Sequence, residues 1–421
     1  MQITDIRITP VAVKDPPLLN SVGVHQPYAL RAVLEVETDS GLTGLGESYG
    51  DDVNLGRLWA VADTLIGLDP FDTNRLVQLV TAALGSPTSD TPHELVGRPS
   101  AAKVVATTLA AFEVPLVDLQ AQATGRRVCD LLGGAVREAV PYSGYLFYRW
   151  ARHVEDPGYQ PDDWGEALDP DGIVAQARRL VAEYGFGSLK LKGGVFPPDQ
   201  EIDAILALRD AFGEHALRID PNGAWTVATS IEVGQRLSGV LEYLEDPTDG
   251  FEGMAEVARS VPMPLATNMC VTTFQELPPA LAQGSIAIVL SDHHLWGGLR
   301  ESQLLAGLCR TFDLGLSMHS NTHLGISLAA MTHLAAATPN LSYACDTHTP
   351  WQVEDVISPG SLTFAEGNLA VPTGPGLGVE LDRDALARLH QQYLDCGIRH
   401  RDDVGQMRAI DPSWSGTRPR F

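Results

Sequence analysis

From residue 139 onward, short apolar strands alternate with amphipathic helices at nearly constant spacing. A chain patterned this way has few folds open to it. The strands are read at 140–147, 188–192, 216–220, 240–245, 263–268, 286–292, 314–319 and 341–346, with seven helical segments between them. Alternation of this kind favours a parallel sheet with helices on its outer face, and eight strands suffice to close that sheet into a (β/α)-type barrel. "DPDGIVAQARRLVAEYG" illustrates the local logic. Asp169 suits an N-cap, Pro170 the first helical position and Gly185 the terminator. Ile173, Ala177, Leu180, Val181 and Tyr184 form one apolar face.

Residues 1 to about 50 follow a different pattern. "ITDIRITPVAV" alternates, and "RAVLEVET", "DSG" and "LTGLGES" read as a hairpin in which Gly41 takes the positive φ. Helical spacing follows to about residue 135, with Leu58, Val61 and Leu65 in one segment and Val104, Leu109, Leu116 and Leu119 in another. Strands followed by helices make this an α+β unit. "HQPYA" and "GSPTSDTPHELVGRPS" read as loops, and "GYQPDDWGEALD" as an acidic insert after the first barrel strand. The expected divisions are 1–138, 139–359 and a Gly/Pro-rich segment 360–421 that packs back on the first unit.

Composition narrows the function classes. There are 53 acidic side chains against 29 basic ones, a formal charge of −24, which disfavours nucleic acid and anionic membranes as partners. A locally positive pocket for a small acid remains compatible with that balance. The five cysteines, Cys129, Cys270, Cys309, Cys345 and Cys396, are odd in number and scattered. They fit a reducing compartment and neither a disulfide framework nor a thiolate zinc site. With no signal-like start and no run of 18 apolar residues, the expected location is cytoplasmic. Exposed apolar helix faces would admit a homo-oligomer.

The polar residues of the barrel fall at strand ends, where barrels of this kind carry their active sites. Strand two ends in Lys192, strand three in Asp220, strand four in Glu245, strand five in Asn268, strand six in Asp292 and strand seven in His319, while the last runs into His348. Asp220, Glu245 and Asn268 stand on adjacent strands and offer oxygen, a donor set that suits Mg²⁺ better than zinc. Singly, such residues are as well explained as turn or helix caps; three on consecutive strands are not. In "LKLKGG", Lys190 and Lys192 point to one face of a strand. Charges that close are expected to lower each other's proton affinity, making Lys192 a usable base and leaving Lys190 as a cation. On the far side His319 has Asp292 one strand away, an arrangement expected to orient the imidazole and raise its pKa towards neutrality. His294, Trp225 and Trp296 are better read as packing residues, with Trp296 a candidate pocket wall. Two bases flanking an oxygen-ligated cation fit proton abstraction beside a carboxylate.

The ordered strings "KLKGG", "DPNGAW", "EDP", "ATNM", "SDHHLWGG", "MHSNTHLGISLAAMTH" and "DTHTPWQ", with "HQPY" and "RDD" outside the barrel, resemble the glucarate dehydratases of the enolase superfamily, within its mandelate-racemase-like branch. The resemblance implies an α/β modified TIM barrel, (β/α)₇β, under an N-terminal α+β capping domain. It implies Mg²⁺-dependent loss of water from D-glucarate, and from its epimer L-idarate, to 5-keto-4-deoxy-D-glucarate. Lys192 would take the α-proton of one epimer and His319, paired with Asp292, that of the other. Asp220, Glu245 and Asn268 would hold Mg²⁺. Lys190, Asn222, Asn268, Ser320, Asn321 and His348 would bind the sugar diacid, with His25, Tyr145 and Arg401 as candidates for its distal carboxylate and hydroxyls. Asp249 and Glu252 are the acidic groups available after "EDP", and Thr107 and Ser100 the hydroxyls of the N-terminal helical region.

Two further readings use the same residues. The chain could be a dehydratase or epimerase of another acid sugar such as galactarate, or a sugar-acid binder without turnover, although binding alone needs no pair of opposed bases. A zinc-type barrel hydrolase would want H-x-H on the first strand, and "YSGYLF" has none.

Overall fold

The structure is a computed structural model that describes residues 1–87, 97, 99–154 and 160–421. Most of the loop expected over 85–100 and the start of the acidic insert at Gly158 lie outside the described residues.

The chain opens with a three-stranded antiparallel sheet of β1 (Ile3–Lys14), β2 (Tyr28–Thr38) and β3 (Thr43–Tyr49), in that order. Gly41 makes the β2–β3 turn with φ 79°. Three helices cover the sheet, α1 (Asp52–Ala62), α2 (Thr73–Leu84) and α3 (Ala101–Thr124), followed by the short α4 (Val128–Leu131). By length and composition α3 could cross a membrane, but 78% of its apolar window is buried inside the fold, so it serves as a core helix. A Cβ at Gly44 would run into the backbone carbonyl of Pro115 in α3, which explains the glycine.

The barrel then runs β4 (Ala139–Phe147), α5 (Pro170–Tyr184), β5 (Ser188–Lys192), α6 (Pro198–Phe212), β6 (Ala216–Asp220), α7 (Val227–Arg236), β7 (Tyr243–Glu245) and α8 (Gly250–Ala258). It continues through β8 (Leu265–Thr267), α9 (Leu277–Gln283), β9 (Ile288–Ser291), α10 (Leu299–Thr311), β10 (Gly315–Met318), α11 (Gly325–Ala336) and β11 (Cys345–Thr347). Strands β4 to β10 are parallel neighbours in sequence order, and β11 pairs in parallel with β4. This is the modified TIM barrel, with the N-terminal sheet and helices as a second unit. Asp169 caps α5 by accepting from the Gly172 amide at 2.8 Å, and Gly185 ends the helix at φ 75°. The last strand starts later than the alternation suggests, because the Ser342 and Tyr343 amides both donate to the Leu316 carbonyl instead of entering a ladder.

After the barrel, β12 (Phe364–Ala365) and β13 (Asn368–Ala370) form a hairpin against the first half of β4. Helix α12 (Arg383–Cys396) lies on β1, where His390 Nδ1 and Gln392 Nε2 donate to the Pro10 and Ala12 carbonyls. Helix α13 (Asp403–Ile410) precedes the terminal stretch.

Side chains of the first unit hold barrel loops. Glu47 of β3 is clamped by Arg31 at 2.7 Å and accepts the Leu324 and Ser327 amides at the start of α11, at 3.0 and 2.9 Å. Burial works against its charge, but Arg31 and His323 keep its carboxyl below the ordinary range. Glu113 of α3 accepts the Leu299 and Arg300 amides at the start of α10 in the same way. Unpaired amides at helix starts make such carboxylates effective caps.

Candidate active site

All five residues of β5 are buried, and Lys190 and Lys192 alternate onto the same face. Register brings Lys190 opposite Tyr145 and Lys192 opposite Asp220. Lys190 Nζ lies 2.6 Å from Glu245 Oε2, 2.8 Å from Asp346 Oδ2 and 3.8 Å from Asp220 Oδ2. Lys192 Nζ donates to Asp220 Oδ2 at 2.5 Å and to Asn222 Oδ1 at 3.4 Å.

For Lys190, the expected lowering of proton affinity by its neighbour is corrected here. Burial disfavours the Lys190 charge, yet Asp346 and Glu245 hold its pKa well above the usual lysine value. Lys190 is thus held in its charged form. Asp346, on β11, was not among the expected site residues, although the strand read at 341–346 ends on it. It also accepts the Tyr145 hydroxyl at 2.9 Å, and burial together with the Asp346 charge keeps that phenol protonated.

Asp220 and Glu245 end β6 and β7, and Asn268 directly follows β8, on three neighbouring strands. Against its burial, Lys192 and Lys190 hold the Asp220 carboxyl below the ordinary range, whereas burial and the Asp220 charge push Glu245 well above it. Asn268 donates its backbone amide to Asp246 at 2.8 Å, while its side-chain oxygen and nitrogen are buried without a hydrogen-bond partner among the described residues. An oxygen-only donor set with an unused buried amide and two carboxylates in electrostatic conflict fits a hard divalent cation such as Mg²⁺. Asp246, a second residue the sequence reading passed over, fixes this turn by accepting from the Thr267 hydroxyl and the Met269 amide. Burial and Asp220 raise its pKa to about 7.

Across the barrel mouth, His319 Nδ1 stands 3.0 Å from Asp292 Oδ2. That orients the ring as expected, but the expected rise in pKa is overturned. Burial outweighs Asp292 and, with Lys192 and Lys190 adding to it, holds the imidazole below its usual value. Asp292 also accepts the His294 amide at 2.9 Å, and His323 Nε2 lies 3.7 Å away. Ligand atoms of Asp292, His294 and His323 fall within 4.8 Å of one another. His294 Nε2 meets Ser327 Oγ at 2.8 Å and the Arg31 guanidinium at 3.2 Å. That fixed positive charge opposes a second cation there, and His294 is a hydrogen-bonded core histidine. Trp225 and Trp296 are buried packing residues, Trp296 against Phe274.

Asn222 lies between Lys192 and Asp220, its side-chain amide donating to Asp220 Oδ2 at 3.2 Å. His348 sits edge-on to the Tyr145 ring and tilted over that of Phe147. His25 Nδ1 is 3.0 Å from Asp15, and its ring also meets Phe147 edge-on. Burial, with His25 nearby, keeps the His348 ring well below the usual histidine pKa. Arg401 pairs with Asp403 at 2.6 Å, and both line a cavity between the two units with Asp15, Arg31, Tyr49 and Asn321. Ser320 is buried, and its backbone carbonyl lies 3.4 Å from the Tyr145 hydroxyl. Asp249 and Glu252 instead line another cavity, with Met269, Cys270 and Glu276. Ser100 caps α3 by accepting the Lys103 amide.

Lys192 at the end of β5, Asp220, Glu245 and Asn268 at β6 to β8, and Asp292 and His319 just past β9 and β10 thus gather at the C-terminal ends of successive barrel strands, with Lys190 buried beside Glu245 and Asp346. Residues 3–133 match the family described as mandelate racemase / muconate lactonizing enzyme, N-terminal domain, and residues 172–385 match the enolase C-terminal domain-like family. The chain belongs to the enolase superfamily, with the two domains of its mandelate racemase and muconate lactonizing members.

Among its relatives, a probable glucarate dehydratase of Streptomyces coelicolor is 53% identical over 98% of this chain and 97% of its own length. A crystal structure of an enolase from Thermobispora bispora, complexed with magnesium and formate, is 60% identical with a TM-score of 0.98 and covers 100% of both chains. One from Mycobacterium smegmatis, complexed with tartrate, is 62% identical with a TM-score of 0.95, covering 100% of this chain and 98% of the other.

Proposed function

We propose that this chain is a Mg²⁺-dependent hydro-lyase that converts D-glucarate, and its epimer L-idarate, to 5-keto-4-deoxy-D-glucarate. The observation that carries the reading is the strand order, in which Lys192 at the end of β5 and the Asp292-held His319 after β10 flank the strands that carry Asp220, Glu245 and Asn268. Similarity to a probable glucarate dehydratase, and the tartrate and magnesium bound by close structural relatives, support the substrate class and the cation.

Asp220, Glu245 and Asn268 would hold Mg²⁺, which when bound neutralises charge developing on the substrate carboxylate. Lys190, kept cationic by its carboxylate partners, adds a second positive charge beneath the site. Lys192 Nζ takes the α-proton from one epimer, and His319 Nε2 takes it from the other, since Asp292 occupies Nδ1. The C–H electron pair becomes the new carbon–carbon double bond as the β-carbon–oxygen bond breaks. His319 delivers a proton to the departing hydroxyl, which leaves as water, and the enol product becomes the ketone. Asn222, Ser320, Asn321 and His348 contact the reacting end of the diacid, while His25, Tyr145 and Arg401 receive its distal end.

Incubating the purified protein with Mg²⁺ and a panel of hexarates and hexonates, with a chelated control, tests the reading. Keto-acid formation from D-glucarate that stops on chelation is expected. Absence of keto acid from every acid in the panel would refute it.

A further inference from the structure

The terminal stretch of the chain returns to the strand-end loop that carries Asn222. Trp414 Nε1 anchors it by donating to the Val22 carbonyl at 2.6 Å. Beyond that anchor, Arg418 Nη1 donates to the Asn222 carbonyl at 2.5 Å. The Arg420 and Phe421 amides donate to the Ala224 carbonyl at 2.7 and 3.1 Å, and the Thr226 amide donates back to Phe421 at 2.6 Å. The loop from 222 to 226 is thus tied to the tail at three successive points.

What the tail holds is an unusual backbone. Asn222 has φ 49°, in the left-handed region that residues with a Cβ visit rarely. Its carbonyl points out of any strand or helix, and such a conformation persists only where the surroundings fix it. Asn222 is also the residue between the candidate base and the candidate cation ligand: its backbone amide donates to Asp220 Oδ1 at 3.0 Å, and its side-chain oxygen accepts from Lys192 Nζ at 3.4 Å. His319, by contrast, is held by Asp292 and by the Ser291 carbonyl.

We propose that Arg418 is a positioning residue for Lys192, acting through Asn222, so that the tail supports one of the two bases and not the other. The inference rests on the two-base reading above. Loss of the clamp would let the Asn222 carbonyl rotate and shift its side chain away from Lys192. A displacement of about 1 Å at a reacting group can cost up to about a hundredfold in rate.

The test compares Arg418→Ala and Arg418→Lys with the unmodified protein. Backbone hydrogen exchange over residues 222–226 reports the clamp without reference to activity, and α-proton exchange of D-glucarate and L-idarate in D₂O with Mg²⁺ reports each base. The epimer whose exchange survives Lys192→Ala serves as the internal control. Arg418→Ala should speed amide exchange in the loop and lower kcat for the Lys192-dependent epimer by about ten- to a hundredfold, with the control epimer little changed. Arg418→Lys, which can still donate one hydrogen bond, should recover much of the loss. Unchanged amide exchange in the loop overturns the clamp, and equal loss of both epimers overturns the positioning role in favour of a merely structural one. If the unmodified protein exchanges neither epimer, the functional reading falls and takes the Lys192 role with it, while the amide data still decide whether Arg418 holds the loop.

Discussion

Replacing Lys190 with methionine keeps most of the side-chain volume and removes one buried charge. That charge lies within 2.6 to 3.8 Å of Glu245, Asp346 and Asp220, none of which has access to solvent. Removing one partner of a buried ion pair commonly costs about 3–5 kcal/mol, because the remaining charge is left uncompensated. At about 2.1 cal/mol/K of unfolding entropy per residue, a chain of 421 residues would lose about 3–6 °C in Tm. Glu245, which burial and the Asp220 charge already push well above the ordinary range, loses a compensating cation in the variant, so the penalty is least in acid, where this carboxyl is protonated in both states, and grows as pH rises. Differential scanning calorimetry in a chelating buffer should therefore show a Tm deficit at pH 7.5 that shrinks at pH 5. Mg²⁺ should raise the variant's Tm by more than that of the parent protein, since it meets the same carboxylates with no lysine competing. A variant as stable as the parent in chelator at pH 7.5 would refute the view that Lys190 neutralises this cluster.

Other perturbations separate the remaining parts. Asp292→Asn should leave Mg²⁺ affinity intact, because Asp292 is engaged by His319 and the His294 amide, while lowering His319-dependent exchange by about 10²- to 10⁴-fold, as read by NMR and by metal titration. Since burial holds the His319 imidazole below its usual 6.5, its neutral, proton-accepting form persists to lower pH. The acid limb of kcat/KM for the His319-dependent epimer should have its midpoint below 6.5, and a midpoint at or above 7 would count against His319 as that base. Gly44→Ala should cost about 1–3 kcal/mol in denaturant unfolding, because the added methyl meets the Pro115 carbonyl where β3 and α3 are in close contact.

The sequence made the strand-end residues legible because one strand-helix unit separates each from the next: Lys192, Asp220, Glu245, Asn268, Asp292 and His319 all recur with that period. Two electrostatic expectations turned on the assembled barrel. The proton affinity of Lys190, expected to fall beside Lys192, is instead raised by Asp346, which arrives from the last barrel strand 156 residues away. The His319 pKa is set by burial, a property of the assembled mouth. Local pattern records neither. Nor does it show that Glu47 and Glu113 of the first unit cap α11 and α10 of the barrel, or that Arg418 reaches Asn222 across 196 positions. Such contacts depend on how the units close on each other, and no periodicity encodes that.

The central claim is that two bases attack the same carbon from opposite sides. Following α-proton exchange of D-glucarate and L-idarate in D₂O with Mg²⁺, for the unmodified protein, Lys192→Ala and His319→Asn, tests it most directly. The account predicts exchange of both epimers by the unmodified protein and loss of a different epimer in each variant. Exchange of both epimers at parental rates by either variant would contradict it.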